Sequence, residues 1–239
     1  MEFRLGCVLA IAVWLPATTA TANTFVFSTT SPDVMYAVSD GGFFVSSAGI
    51  TKTYASASIA GSSFQLVASG SGYSDAGIVL YFNGGLKLGD LASVVVATDN
   101  PSAIAINLWL DTGGDGQFFA FDNTGLLTAL NGDNYGTHAG STLTNADAPA
   151  NNIQMFQGGG TGTLAYFQSG AAAAFGITSS TPTALWIGLT NPNTANISSI
   201  TVDQAGHAPE PSSVLLLGGG LAAVGTIRRR SRNSRARGR

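Results

Sequence analysis

The segment Ala103-Ile104-Ala105-Ile106-Asn107-Leu108-Trp109-Leu110 decides the fold class of this chain. Apolar side chains occupy both alternating sets of positions, and only Asn107 interrupts them. Such a run is too continuously apolar for a strand that exposes one face to water. It predicts a strand at a central position in a β-sheet, with other strands on both sides.

Short strand patterns continue on both sides of this segment, and no part of residues 23–207 shows a sustained, capped 3.6-residue period. The other predicted strands are Thr24–Ser28, Val34–Val38, Phe43–Ser46, Thr53–Ile59, Phe64–Ser69, Gly77–Phe82, Ser93–Thr98, Gln117–Phe121, Leu164–Gln168, Ala184–Leu189 and Ile197–Val202. Turn signals such as Asn83-Gly84-Gly85 separate them. Many short strands with Gly-rich turns predict an all-β domain, a two-sheet β-sandwich of jelly-roll type.

Residues 122–163 contain no predicted strand and are rich in Asn, Gly, Thr and Asp. A connection of this length inside a compact domain indicates either a functional loop or undetected strands. The segment ends in Gly158-Gly159-Gly160-Thr161-Gly162. It is not a phosphate-binding loop, because no Gly-Lys-Ser/Thr follows, so we predict a flexible turn.

The first 22 residues have the order of a secretory signal peptide. Arg4 supplies a short positive region, Leu5 to Leu15 is apolar, and Ala20-Thr21-Ala22 fits a small-x-small cleavage site. We therefore assign residues 1–22 to a signal helix and expect the mature protein to begin near Asn23. Cleavage after Ala20 is the alternative.

Residues 23–207 form an acidic body of 185 residues, long enough for one domain with its own core. The body contains eleven aspartates, no glutamate and only two lysines, which gives a formal charge of −9. The arginines near the C-terminus hide this value in the whole-chain charge of −3. An acidic surface argues against nucleic acid as a partner and fits an extracellular protein that meets cations or neutral polysaccharide.

The C-terminal segment consists of three consecutive parts. Pro209-Glu210-Pro211 comes first, an uncharged stretch follows at residues 212–227, and Arg228, Arg229 and Arg230 begin an Arg-rich tail at residues 228–239. The uncharged residues, counted from Pro211, would form a helix of roughly 25 Å, against a hydrocarbon core of about 30 Å. We therefore predict a short transmembrane helix, with the arginines on the cytoplasmic side and the body outside.

This order of parts resembles the PEP-CTERM sorting signal of exported Gram-negative bacterial proteins. The resemblance assigns residues 208–239 to a sorting signal and Pro209, Glu210 and Pro211 to its processing motif. It implies the secretion translocase and exosortase, a membrane protease-transpeptidase, as partners. The body would be held transiently in the inner membrane and would then reach the outer surface or the extracellular matrix. The alternative is a terminal helix with a basic tail that binds nucleic acid.

The best candidate for a metal site is Asp111-Thr112-Gly113-Gly114-Asp115-Gly116. When Asp111 is counted as position 1 of a twelve-residue calcium loop, Asp115 falls at position 5 and Asp122 at position 12. Gly113 at position 3 departs from the pattern. The alternative is a Gly-rich hairpin loop between Leu110 and Gln117, whose aspartates bond to the backbone. Apart from this calcium ion, we expect no cofactor.

No catalytic set of residues stands out in the body. His138 lies in a polar segment and His207 lies beside the sorting motif, and the chain has no Gly-x-Ser-x-Gly elbow. The body also lacks the glutamates that many glycosidases use. We therefore expect no enzyme activity.

Aromatic side chains at the surface could bind sugars by stacking. Tyr135 and Tyr73 are the better surface candidates, whereas Trp109 and Trp186 are expected in the core. The favoured function is a structural or adhesive surface protein that exosortase processes and that is associated with exopolysaccharide, as in a biofilm. A carbohydrate-binding sandwich, stabilised by calcium, is the alternative, and a polysaccharide hydrolase is the least favoured.

Overall fold

A computed structural model describes residues 22–40, 42–70, 74–80, 82, 85–113, 117–121, 127–131, 134–189 and 192–205, with only the backbone described for 117–121 and 127–131. All of them belong to one compact unit, Ala22–Ala205. The predicted signal helix, the sorting motif, the transmembrane segment and the Arg-rich tail lie outside the described residues. The domain boundaries at residues 22 and 207 therefore stay predictions.

The described part of the chain is built mainly of short strands. They are β1 (Asn23–Phe27), β2 (Val34–Asp40), β3 (Phe43–Ser46), β4 (Ile50–Thr51), β5 (Ala55–Ala60), β6 (Ser63–Ala68), β7 (Ser74–Leu80), β8 (Leu86–Lys87), β9 (Leu91–Thr98), β10 (Ile104–Leu110), β11 (Gln117–Phe121), β12 (Leu127–Asn131), β13 (Asn134–Ala139), β14 (Thr142–Thr144), β15 (Ile153–Met155), β16 (Thr161–Gly162), β17 (Pro182–Leu189) and β18 (Asn193–Gln204). One short helix, α1 (Leu164–Gln168), follows β16.

Two antiparallel sheets form a β-sandwich, which confirms the predicted fold class. The seven-stranded sheet has the order β14-β9-β18-β6-β5-β4, with β1 beside β18. The nine-stranded sheet has the order β16-β15-β13-β10-β17-β7-β2-β3, with β8 beside β17. Among the described residues, the strands β11 and β12 pair only with each other. Apolar side chains from the inner faces of both sheets form one continuous core.

Strand β10 occupies a central position, between β13 and β17. Every second residue from Ile104 to Leu110 is buried in the core between the sheets. On the opposite face Trp109, only 8% exposed, belongs to a second cluster together with Ala184. Both faces of the strand are therefore covered, as the uninterrupted apolar sequence predicts.

The first and last strands of the body are neighbours in the smaller sheet. Strand β18 pairs with β9 along one side, and with β6 and then β1 along the other. This register places Asn23 opposite Gln204. The carboxylate of Asp203 accepts hydrogen bonds from the hydroxyl groups of Ser93 and Thr24, each at 2.7 Å. One side chain thus connects β18 to both of its neighbours at this end.

These bonds predict a pH dependence of stability. The hydroxyls of Ser93 and Thr24 lower the pKa of Asp203 below its ordinary value. The carboxylate therefore stabilises the fold above the unfolded pKa of about 3.9, and this contribution is lost as the pH falls through the lower folded pKa. We expect Asp203→Asn to be less stable than wild type at pH 6, by under about 1 kcal/mol because solvent screens the group. Urea unfolding should show the difference shrinking below pH 4, and a difference constant from pH 6 to pH 3 would contradict this assignment.

Residues 122–163, in which no strand was predicted, contain several strands. Strand β13 escaped detection because its inward positions are Asn134, Gly136 and His138, all buried, so the apolar alternation is missing. Strands β14, β15 and β16 have only two or three residues each. The Gly-rich run forms the turn between β15 and β16, where Gly158, Gly159 and Gly160 adopt positive φ. The lack of predicted strands in this long segment is therefore explained by strands that the sequence pattern did not reveal.

The prediction of a strand at Leu164–Gln168 is wrong, because these residues form α1. The Thr163 hydroxyl caps the helix by accepting a hydrogen bond from the backbone N–H of Tyr166 at 3.1 Å. Leu164 and Phe167 are the buried residues, and their spacing of three fits a helix and not a strand. The suggested hairpin between Leu110 and Gln117 is also wrong, because β11 pairs with β12.

Candidate functional site

Aromatic side chains gather on the outer face of the nine-stranded sheet. Side chains alternate between the two faces along each strand, and residues paired across two strands lie on the same face. Trp109 of β10 therefore shares this face with its register partner Tyr135 of β13. Trp186 of β17 and Phe43 of β3 lie against Trp109, with ring centroids 5.6 Å away in each case. Trp109 and Trp186 therefore pack outside the main core, in a separate aromatic cluster.

Trp186 can lie on this sheet because Gly77 of β7 has no side chain. Gly77 is the register partner of Gly188, which lies two residues after Trp186 on the same face of β17. A Cβ atom at Gly77 would overlap the indole nitrogen of Trp186 and would lie 2.6 Å from the carbonyl oxygen of Ile187. The indole N–H is buried and has no hydrogen-bond partner among the described residues. Close contact with the sheet thus fixes the indole.

Asn107 connects the aromatic cluster to β13. This single polar residue of β10 is 7% exposed. Its carboxamide oxygen accepts a hydrogen bond from the Thr137 hydroxyl at 2.6 Å, and its amide group donates to the carbonyl oxygen of Trp186 at 3.3 Å. A buried amide is tolerated here because its polar atoms are bonded.

Tyr135 and Phe156 form a stacked pair of rings at the edge of this aromatic face. Their centroids lie 4.5 Å apart and their planes differ by 17°. Tyr135 is 40% exposed and Phe156 is 50% exposed. The backbone N–H of Phe156 donates to the carbonyl oxygen of Tyr135 at 3.0 Å. The structure therefore places Tyr135 at the surface, where the sequence predicted it, and adds Phe156.

The buried side chain of Asn134 holds the turn that carries Phe156. Its carboxamide oxygen accepts from the N–H of Gln157 at 3.3 Å, and its amide group donates to the carbonyl oxygen of Gly158 at 3.4 Å. Since Asn134 precedes Tyr135 in β13, the same strand positions both rings. Asn134 therefore holds the backbone of the turn next to Phe156.

A shallow cleft of about 580 Å³ lies on the side of the β15–β16 hairpin opposite the Tyr135–Phe156 stack. It is lined by Asp147, Asn152, Gly162, Thr163, Ala165, Tyr166 and Ser169. Tyr166, 40% exposed, places its ring against Gly162, where a Cβ atom would overlap it. The hydroxyl of Thr163 donates to the carboxylate of Asp147 at 2.8 Å. The cleft thus combines an aromatic ring, a carboxylate, an amide and hydroxyl groups.

His138 is a buried residue whose side chain contacts the backbone of neighbouring segments. It is 2% exposed, and its ring nitrogens lie 3.2 Å from the carbonyl oxygen of Asn152 and 2.9 Å from that of Thr142. Both ring nitrogens are occupied by backbone contacts, so His138 anchors the segment before β15. This geometry gives no support for catalysis by His138.

The calcium site of Asp111, Asp115 and Asp122 stays a prediction, because only Asp111 belongs to the described residues. Its carboxylate accepts from the N–H of Gly113 at 3.2 Å, and its own N–H donates to the carbonyl oxygen of Pro182 at 2.9 Å. In the described ranges no three His, Cys, Asp or Glu side chains are grouped in a way that could hold a metal ion. Tyr73, the second predicted surface aromatic, also lies outside these ranges.

Comparison with known proteins identifies a protein-sorting motif near the C-terminal end of the chain. Residues 207–230 match the model of the PEP-CTERM protein-sorting motif, so this part of the chain is identified as a PEP-CTERM sorting signal. The motif implies export, transient membrane anchoring and processing by exosortase. Within the described residues, which end at Ala205, we find no helix that is long and apolar enough to span a membrane. No curated protein matches the chain significantly in sequence.

Among solved structures, a low affinity xylan binding module, CBM86 from the gut symbiont Roseburia intestinalis, is similar to this chain. The two share 12% sequence identity with a TM-score of 0.33, over 78% of this chain and 99% of the module. At this TM-score the likeness supports no conclusion about the fold or the ligand of the present chain.

Proposed function

We propose that this PEP-CTERM protein is a non-catalytic adhesive protein of the cell surface or extracellular matrix, and that its body binds exopolysaccharide through the Tyr135–Phe156 stack. The exposure of two stacked rings on a sheet face carries this proposal. Aromatic rings offer a large apolar surface at a small cost in conformational entropy. The apolar face of a sugar ring is a suitable partner for such a surface.

The charge of the body favours a neutral polysaccharide over an anionic one. Its formal charge of −9 opposes the approach of uronate, sulfate or phosphate groups. A non-catalytic role is supported by the cleft, because Asp147 supplies the one carboxylate among the described residues that line it. Glycoside hydrolysis ordinarily requires two carboxyl groups on opposite sides of the scissile bond. Adhesion without cleavage therefore agrees with both observations.

The proposal predicts that removing the stacked rings strongly weakens adhesion. The double variant Tyr135→Ala/Phe156→Ala should bind the extracellular polysaccharide of the host at least tenfold more weakly, a loss of about 1.4 kcal/mol or more. The effect is measured by affinity electrophoresis of the released protein through gels that contain this polysaccharide. Tyr54→Ala is the matched control, because Tyr54 is also exposed, at 42%, but follows β4 in the other sheet.

The control variant should migrate like wild type in these gels. An unchanged retardation of the double variant, with an unchanged melting temperature, would rule out the stack as the binding surface. Cleavage of the polysaccharide by wild type, seen as new reducing ends, would contradict the non-catalytic role.

A further inference from the structure

We propose that the cleft beside Tyr166 is a second glycan-binding site, and that the body cross-links two chains of a neutral polysaccharide. One chain lies on the Tyr135–Phe156 stack and another lies in this cleft, on the opposite face of the nine-stranded sheet. This inference rests on the proposed function, because the stack is one of the two sites. It adds the second site, which we call the Tyr166 cleft, and gives the body a bridging role.

The register of the β15–β16 hairpin places the two sites on opposite faces. Gly162 of β16 is the register partner of Ile153, which is buried in the core. Residues paired across two strands lie on the same face, so a Cβ atom at Gly162 would point to the core-facing side, and there it would overlap the ring of Tyr166. The Tyr135–Phe156 stack lies on the outer face. A saccharide chain on the stack would have to turn around β16 to reach the cleft.

Thr163 connects the ring of the cleft with its carboxylate. The Thr163 hydroxyl donates to the carboxylate of Asp147 at 2.8 Å and accepts from the backbone N–H of Tyr166 at 3.1 Å. The hydroxyl of Ser169, also in the lining, donates to the carbonyl oxygen of Tyr166 at 2.7 Å, and its oxygen can still accept a hydrogen bond. The first turn of α1 thus brings an aromatic ring and polar groups together in one cleft.

The segment that carries Asp147 is tied to the sandwich at both ends. The ring nitrogens of the buried His138 lie 2.9 Å from the carbonyl oxygen of Thr142 and 3.2 Å from that of Asn152. Between these two contacts, the amide group of Asn151 donates to a threonine hydroxyl of β14 at 2.8 Å. The carboxylate of Asp147 therefore belongs to a segment that is anchored to both β13 and β14.

The groups that line the cleft suit a neutral sugar rich in hydroxyl groups. The ring of Tyr166, 40% exposed, offers an apolar surface to the apolar face of a sugar. The carboxylate of Asp147 can accept hydrogen bonds from sugar hydroxyls and repels another carboxylate. The volume of about 580 Å³ lies within the range of small-molecule sites, roughly 300–1,000 Å³. The cleft therefore favours a short stretch of neutral sugars over uronic acids.

Two sites on opposite faces allow one protein to hold two chains. A body attached to one chain through the stack presents its cleft to neighbouring chains, which are concentrated around it in a matrix. Among the described residues the cleft contributes one ring and the stack contributes two, so the cleft should be the weaker site. Loss of the stack should therefore weaken attachment strongly, whereas loss of the cleft should remove bridging and leave attachment intact.

The first test is an NMR titration of the ¹⁵N-labelled released protein with short neutral oligosaccharides, made by partial hydrolysis of the host's extracellular polysaccharide. The backbone amide signals of Gln157, beside the stack, and of Thr163, in the cleft, should both shift, with separate saturation curves. Tyr166→Ala should weaken the Thr163 curve by about tenfold or more and leave the Gln157 curve unchanged. Tyr135→Ala/Phe156→Ala should have the converse effect.

Bridging is measured with the intact polysaccharide. Wild type should raise the viscosity of a dilute polysaccharide solution, because each protein joins two chains. Tyr166→Ala and the variant that lacks the stack should each raise it by about fivefold less, since a protein with one site cannot cross-link. Tyr54→Ala is the control, because Tyr54 is equally exposed but follows β4 in the other sheet. It should raise the viscosity like wild type.

The outcomes separate this inference from the proposed function. If the Thr163 signal does not shift, or if Tyr166→Ala raises the viscosity like wild type, the second site is wrong while adhesion through the stack stands. Loss of both saturation curves in Tyr166→Ala would show one continuous site and would contradict bridging. If the Gln157 signal does not shift and Tyr135→Ala/Phe156→Ala binds the polysaccharide like wild type, the proposed function itself fails.

Discussion

Replacing Glu210 by alanine is expected to leave the protein as an uncut precursor in the inner membrane. Glu210 is the only charged residue between Asp203 and Arg228, and it lies within the matched sorting motif. Without this carboxylate, nothing but the two prolines distinguishes the motif from the uncharged stretch that follows. We therefore propose that exosortase requires Glu210, and we expect the released fraction to fall at least tenfold.

The precursor would be held by the predicted transmembrane segment and by the arginines from Arg228 onwards, which resist transfer across the membrane. Intact mass and cell fractionation in the native host measure this outcome. Ser213→Ala is the matched control, because it alters a neighbouring residue without changing any charge, and its processing should be normal. Release of Glu210→Ala with the mass of processed wild type would refute the role of this residue.

Substituting Gly77 by alanine should destabilise the sandwich by about 1–3 kcal/mol, the usual cost of overpacking a filled site. The new methyl group would overlap the indole of Trp186 and approach the carbonyl oxygen of Ile187 to 2.6 Å. Ile187 lies in β17, which pairs with both β7 and β10, so its backbone cannot move without disturbing the sheet. Thermal unfolding should show a melting temperature lower by several degrees, and tryptophan fluorescence should report a displaced indole.

The chain offers a matched control for this substitution. Gly188 is the register partner of Gly77, and a Cβ atom there would meet the same indole at 3.4 Å, an ordinary contact distance. Gly188→Ala should therefore change stability much less. In a Trp186→Ala background the cost of Gly77→Ala should fall, because only the clash with Ile187 remains. Equal losses for the two glycine variants would show that the indole does not lie on Gly77.

The sequence identified most of the longer strands whose inward positions are apolar. Strand β10 is the clearest case, because its continuous apolar run correctly predicted a central position with both faces covered. Strand β13 was missed since burial there falls on Asn134, Gly136 and His138, whose polar groups are satisfied by contacts distant in sequence. Such partners exist only after folding, and no local pattern reveals them. The strand predicted at Leu164–Gln168 was wrong because five residues are too few to reveal the 3.6-residue period of a helix.

The candidate site was predictable only in part. The sequence indicated Tyr135 as a surface aromatic, but its stacking partner Phe156 lies twenty-one residues away in the segment without predicted strands. The pairing depends on the register of β13 with β15, in which Gly136 faces Met155. The cleft likewise needs α1 to bring Tyr166 against Gly162. Composition and spacing therefore indicated an exported sandwich, whereas the arrangement of its binding surface required the fold.

The central claim is that the working molecule is the acidic sandwich, exported and separated from both terminal segments. Intact mass spectrometry of the protein recovered from the polysaccharide matrix of its native host tests this claim most directly. We expect a polypeptide that begins near Asn23, retains β18 through Gln204 and lacks the arginines from Arg228 onwards. A full-length chain, uncut at both ends and found in the cytosol, would contradict it.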